Sequence, residues 1–218
     1  MDYVIFDLDG TLVDLFELHL RGFQELVSEE YGLEFAREDL ESHYGRTAEE
    51  IARTFFEEKG VEDVDYDDFV VKRRRKVVEN LSTCELLPGA VEILDSLKNA
   101  GFKLALATAN TPDTGKAILD ACRVREYFNA EVYRSEGLKS KPEPDIFLKA
   151  AEELDAKPSD CVVLEDSVFG VQAAKSAGMK VIAVTTGTHT KEELERQKPD
   201  LIVESLEEVK VETVKGVQ

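Results

Sequence analysis

The sequence predicts an α/β protein: a doubly wound parallel sheet interrupted near its start by an all-helical insertion. Two segments, "EILDSLKNAGFKLALATAN" and "GVQAAKSAGMKVIAVTTG", share one grammar. In each, an amphipathic helix is closed by a glycine, Gly101 or Gly178, and a short aliphatic run follows. The runs are apolar throughout and do not alternate, as strands buried on both faces of a parallel sheet require. By contrast, the stretch between Asp14 and Thr83 contains no β-rich run.

Taken in order, "YVIF" is the first strand and runs directly into Asp7. "FELHLRGFQELVSEEYG", "TAEEIARTFFEEKG" and "DDFVVKRRRKVVENL" then read as charged amphipathic helices. Further strands fall at Phe102 to Thr108, Ala130 to Tyr133, "CVVLED", the "KVIAV" after Gly178, and Leu201 to Val203. Helical segments such as "PDIFLKAAEEL" separate them, giving about six strands in a doubly wound order. The expected division is a core of residues 1–14 and 83–218 and a helical unit of residues 15–82. An insertion after the first strand leaves from the carboxyl end of the sheet, where open α/β folds bind ligands, and so is expected to act as a lid.

Composition narrows the function. The 218 residues are 43% hydrophobic and 33% charged, ordinary for a globular chain with a good-sized core. Against 27 Lys and Arg stand 46 Asp and Glu, a formal charge of −19 that repels nucleic acid and anionic lipid. Cys84, Cys122 and Cys161 are odd in number and widely spaced, which fits reduced thiols and neither a zinc site nor a disulfide framework. No apolar run approaches a membrane span, and Asp2 precedes a strand where a signal peptide would be basic. A cytoplasmic, monomeric protein is the expectation.

Four segments sit at predicted carboxyl ends of strands: Asp7 with Asp9, Thr108 with Asn110, Lys141 in "KSKPEPDIF", and Glu165 with Asp166. Like charges two residues apart at the end of a buried strand are costly unless a cation or a shared proton offsets them. Carboxylates gathered on one edge make a set of hard oxygen ligands suited to Mg²⁺ and not to zinc or copper. Gly10 lets the chain turn, so Asp9 can point towards a leaving group instead. The other residues describe an anion site. Thr108 offers a hydroxyl, the helix opening at "NTPDTGK" with Pro112 in its first turn offers free N–H groups, and Lys141 offers a point charge on a stiff Lys-Pro-x-Pro stretch. Together these describe phosphoryl transfer to or from a small phosphorylated metabolite.

Each signal alone has a plainer reading. Asp7 and Asp9 would make a turn or N-cap, Glu165 and Asp166 helix caps with Ser167 as the N-cap itself, and Lys141 a surface lysine. The "KRRRK" run of residues 72–76 reads as a solvated helix face, and His43 and His189 as loop or surface residues. In combination, "DLDGT", Thr108 at a strand end, the lysine of "KPEPDIF" and "EDSVFGVQAAKSAGM" resemble, in order, the four motifs of the haloacid dehalogenase (HAD) superfamily. The likeness reaches to about Thr186. The insertion resembles the small helical cap of the branch that holds beta-phosphoglucomutase and phosphoglycolate phosphatase, over a Rossmannoid core.

The resemblance implies roles. Asp7 is the nucleophile that becomes an aspartyl phosphate. Asp9 protonates the leaving alkoxide and then activates water, while its backbone carbonyl binds Mg²⁺. An ordinary Asp would be ionised at neutral pH, so its proton must come from cap-closure desolvation, the favoured source, from a raised pKa, or from the substrate's bridging oxygen. Asp166, with Glu165, completes the metal site begun by Asp7 and Asp9, and Thr108, Asn110 and Lys141 hold phosphoryl oxygens. His19, on the first insertion helix, matches a histidine position of this branch, with packing or surface placement as the alternative. Arg46 in "HYGRT" resembles a cap loop that touches substrate, with a solvated side chain as the alternative.

The expected activity is Mg²⁺-dependent hydrolysis of a small phosphomonoester. A phosphomutase of the beta-phosphoglucomutase kind is the nearest rival, permitted by "EDS" and His19. Leu15 and the loop "GRTAEE" speak against it, since the first replaces a small hydroxyl residue and the second lacks a basic residue three positions past its glycine. Dehalogenation is disfavoured by the presence of Asp9, and phosphonate cleavage by an arginine that cannot form an imine. A ligand-sensing domain that has kept the fold is the rival outside enzymes, and intact motifs oppose it.

Overall fold

The computed structural model describes residues 3–43 and 46–217. The chain forms two compact units, one of Met1–Asp14 and Glu85–Gln218, the other of Leu15–Cys84. No helix of the described residues is long and apolar enough to cross a membrane.

The first unit is built on six strands: β1 (Tyr3–Phe6), β4 (Lys103–Thr108), β5 (Ala130–Tyr133), β6 (Cys161–Glu165), β7 (Lys180–Val184) and β8 (Leu201–Val203). Their order is β5-β4-β1-β6-β7-β8, and every pairing is parallel. From β1 the chain winds first to one side and later to the other, which opens a crevice at the carboxyl ends beside β1. The connections carry α5 (Ala90–Asn99), α6 (Pro112–Ala121), α7 (Asp145–Glu153), α8 (Val168–Ser176) and α9 (Lys191–Glu195), and α10 (Val211–Gly216) closes the chain. Gly101 and Gly178 take φ of 85° and 76° just after α5 and α8, the left-handed turn that ends each helix and releases the next strand. Pro112 occupies the first turn of α6, and the Ser167 hydroxyl caps α8 by accepting from the Gly170 N–H at 3.0 Å.

Strands covered on both faces bury continuously. Val4, Ile5, Phe6 and Leu104 to Ala107 have no solvent exposure, and Ile5, Ala105, Val163 and Val181 share a cluster with Phe147 and Ala150 of α7. The sequence reading missed a short antiparallel ribbon, β2 (Val13–Asp14) with β3 (Glu85–Leu86). It ties together the two points at which the chain leaves and re-enters this unit.

The second unit is helical: α1 (Phe16–Tyr31), α2 (Arg37–Glu41), α3 (Ala48–Lys59) and α4 (Tyr66–Glu79). It holds its own aromatic core, in which Phe23 stacks on Phe35 at 4.7 Å and Phe56 meets Phe69 edge-on at 5.4 Å. Such pairs add about 0.5–1.5 kcal/mol each beyond the area they bury. Thr47 and Glu50 form a reciprocal capping box at the start of α3, with the Thr47 N–H donating to the Glu50 carboxylate at 2.8 Å. The two lysines that bound the basic run on α4 are ion-paired, and Arg73 between them lies over the Phe23 ring. Lys72 meets Glu30 and Asp68, at 2.7 and 2.8 Å, and Lys76 meets Glu29 at 2.7 Å. Tyr44 and Gly45, from the "HYGRT" stretch, lie outside the described residues.

Candidate active site

Register brings the predicted segments together. Phe6 pairs with Leu106 on one side and Leu164 on the other, so Asp7 follows level with Ala107 and Glu165, and Thr108 and Asp166 come one residue later. The Asp7 N–H still donates to the Leu164 carbonyl at 3.0 Å, which anchors Asp7 at the end of the sheet. Residues more than a hundred positions apart become neighbours because parallel strands present the same end.

Asp7, Glu165 and Asp166 are all buried, and each offers a carboxylate oxygen within 4.8 Å of the others. Lys141 reaches into this group, its Nζ lying 2.6 Å from both Asp7 Oδ1 and Glu165 Oε1. The second oxygen of Glu165 accepts from the Ser167 N–H at 2.6 Å and from its hydroxyl at 2.9 Å. Thr11 donates to Asp166 Oδ1 at 3.1 Å. Thr108 is buried and its hydroxyl accepts from both the backbone and side-chain N–H of Asn110, at 3.2 and 3.1 Å. Asp9 is half-buried, and its carboxylate is not one of the three clustered acids. His19, on α1, is half-buried and Arg46, before α3, is exposed; both belong to the helical unit and not to the unit that carries the acids. His43 follows α2 in a turn, and His189 lies in the loop after β7.

The electrostatics follow from burial. Desolvation pushes the Asp7 carboxyl up to about 7 against the pull of Lys141, and Asp166 is raised for the same reason with Glu165 and Asp7 adding to it. Burial disfavours the charge on Lys141, but Asp7 and Glu165 outweigh it and hold the ammonium protonated above its ordinary range. Three carboxylates and one ammonium leave a formal surplus of two negative charges in a buried pocket. A divalent cation matches that surplus, and the all-oxygen donor set suits a hard one.

Without such a cation the site must take up protons. Between the ordinary Asp value of 3.8 and the folded value near 7, unfolded Asp7 ionises while folded Asp7 keeps its proton. The metal-free protein therefore loses stability as pH rises through this window, and Asp166 acts in the same direction. Thermal melts in EDTA should fall from pH 4 towards pH 7 relative to melts with a divalent cation, whose stabilising effect should grow over the same range.

The haloacid dehalogenase-like hydrolase family model matches residues 4–184, a span that includes all four acids and Lys141. The chain belongs to this family. Beta-phosphoglucomutase of Bacillus subtilis (strain 168) is 33% identical to this HAD protein over 217 residues, 95% of each chain. Fructose-1-phosphate phosphatase YqaB of Escherichia coli (strain K12) is 31% identical over 184 residues, 83% of this chain and 95% of that one. Among solved structures, CbbY from Rhodobacter sphaeroides in complex with phosphate superposes with a TM-score of 0.85 at 28% identity, covering 99% of both chains. The chain is accordingly an enzyme of the HAD hydrolase type.

Sequence reading passed over two contributors to the site, Thr11 and the loop after β7. Thr11 lies within "DLDGT", but its hydroxyl has no chemistry of its own to signal a partner 155 residues away.

Proposed function

We propose that this HAD enzyme is a Mg²⁺-dependent phosphatase acting on a small phosphomonoester through an aspartyl-phosphate intermediate. The observation that carries the reading is Lys141 Nζ held at 2.6 Å from both Asp7 and Glu165 inside a three-carboxylate cluster. A cation aimed at the nucleophile serves an anionic substrate, and the remaining negative surplus serves a metal.

In this scheme an Asp7 oxygen bonds to phosphorus as the bond to the leaving oxygen breaks, and Asp9 gives that alkoxide its proton. Water then attacks the same phosphorus, Asp9 takes its proton, and the bond to Asp7 breaks to release inorganic phosphate. Lys141, Thr108 and Asn110 hold the phosphoryl oxygens as charge redistributes over them. Asp7, Glu165, Asp166 and the backbone carbonyl of Asp9 would hold Mg²⁺, which when bound neutralises the acids and polarises a phosphoryl oxygen. Substrate contacts by His19 and Arg46 rest on the family resemblance.

A panel of sugar phosphates, glycerol phosphate and phosphoglycolate, assayed for free phosphate with Mg²⁺ and with EDTA, tests the reading. Phosphate release that EDTA abolishes is expected. No release from any substrate would overturn it in favour of a ligand-sensing domain. The 33% identity to beta-phosphoglucomutase makes mutase activity the second reading. Isomerisation of glucose 1-phosphate in the presence of a bisphosphate activator, without net phosphate release, would select it.

A further inference from the structure

The loop that follows β7 approaches Asp166 more closely than any other glycine-bearing segment outside the four motifs. Because Glu165 pairs with Ala183, the chain leaves β7 beside Asp166 and continues as Thr185, Thr186 and Gly187. A Cβ built on Gly187 would lie 1.9 Å from Asp166 Oδ2 and 2.7 Å from its Cγ. The backbone of Gly187 is not in the left-handed region, and the three nearest atoms that a side chain there would meet all belong to Asp166. Gly10 closes the same carboxylate from another side, where a Cβ would lie 2.3 Å from Oδ2. Its φ of 81° requires glycine in any case, so only Gly187 isolates the contact. The Thr186 hydroxyl donates to the Gly10 carbonyl at 2.5 Å, pinning this loop to the one that carries Asp7 and Asp9. Thr11, bonded to Oδ1 at 3.1 Å, holds the other oxygen of Asp166.

We infer that Thr186 and Gly187 are positioning residues for the metal site, setting the place of the Asp166 carboxylate by contact rather than by ligation. This rests on the metal-dependent reading above. Outer contacts of this kind orient ligands and set metal affinity. Loss of either contact should therefore raise the Mg²⁺ concentration needed for half-saturation.

Calorimetric titration of the purified, folded protein with Mg²⁺ tests this without reference to activity. Gly187→Ala should weaken Mg²⁺ binding by about 10–100-fold. Should that variant fail to fold, the Thr186 pair decides: Thr186→Val should weaken binding and Thr186→Ser, which restores the hydroxyl, should recover it. A merely structural role would lower the melting temperature of the Val and Ser variants without separating their metal affinities. Wild-type affinity in Gly187→Ala, or equal affinities for Thr186→Val and Thr186→Ser, would overturn the inference while leaving the phosphatase reading intact. A wild-type protein that binds no Mg²⁺ would remove both.

Discussion

Replacing Asp7 by asparagine should lower phosphate release at least about a thousandfold if Asp7 is the covalent nucleophile proposed. The substitution keeps the size of the side chain and can keep the Lys141 contact through the amide oxygen, so folding should survive. It also removes the ionisable group that burial pushes up to about 7, and the metal-free variant should be less sensitive to pH than the wild type. Single-turnover phosphate release in Mg²⁺, with circular dichroism as the check on folding, measures the effect. Near-wild-type turnover would remove Asp7 from the role given to it.

Lys141→Met should be damaging in two separable ways. The lysine is 11% exposed and is the ammonium that meets both Asp7 and Glu165, so removing it leaves facing carboxylates with their repulsion uncompensated. Breaking a buried ion pair from one side costs about 3–5 kcal/mol, and the melting temperature of the metal-free protein should drop accordingly. Added Mg²⁺ should restore part of that stability, since it supplies positive charge to the same acids. Phosphate release should stay low by about a hundredfold or more if, as proposed, Lys141 donates to the transferring phosphoryl group. Lys141→Arg should rescue stability better than activity: a planar guanidinium does not reproduce one compact donor at 2.6 Å from two oxygens.

The parts of this molecule that repeat a strong local signal were readable in advance. Gly101 and Gly178 mark helix ends because a positive φ there selects glycine, and the runs Lys103–Thr108 and Lys180–Val184 are too apolar for anything but a covered sheet. Once strands are parallel, Asp7, Thr108 and Asp166 must share an edge, so the acids and Thr108 were legible from position alone. The ribbon of Val13–Asp14 with Glu85–Leu86 was not, because two residues per strand carry no periodicity and their pairing depends on where the helical unit begins and ends. Nor was the part played by Thr186 and Gly187. "TTGTHT" reads as an ordinary turn, and only the closeness of Asp166 gives its glycine a purpose. The double engagement of Lys141 was hidden for a related reason: its motif implies a phosphate contact but says nothing of Glu165, whose other oxygen is already taken by Ser167.

On this reading, protons on Asp7 and Asp166 hold the buried negative charge in check until a divalent cation replaces them. Calorimetric titration of metal-free protein with Mg²⁺ in buffers of different ionisation enthalpy tests it directly. A single site, protons released on binding, and a smaller release in Asp166→Asn, where Asp7 alone still gives up its proton, are expected. Binding with no proton release, or binding that Asp166→Asn leaves unchanged, would contradict it.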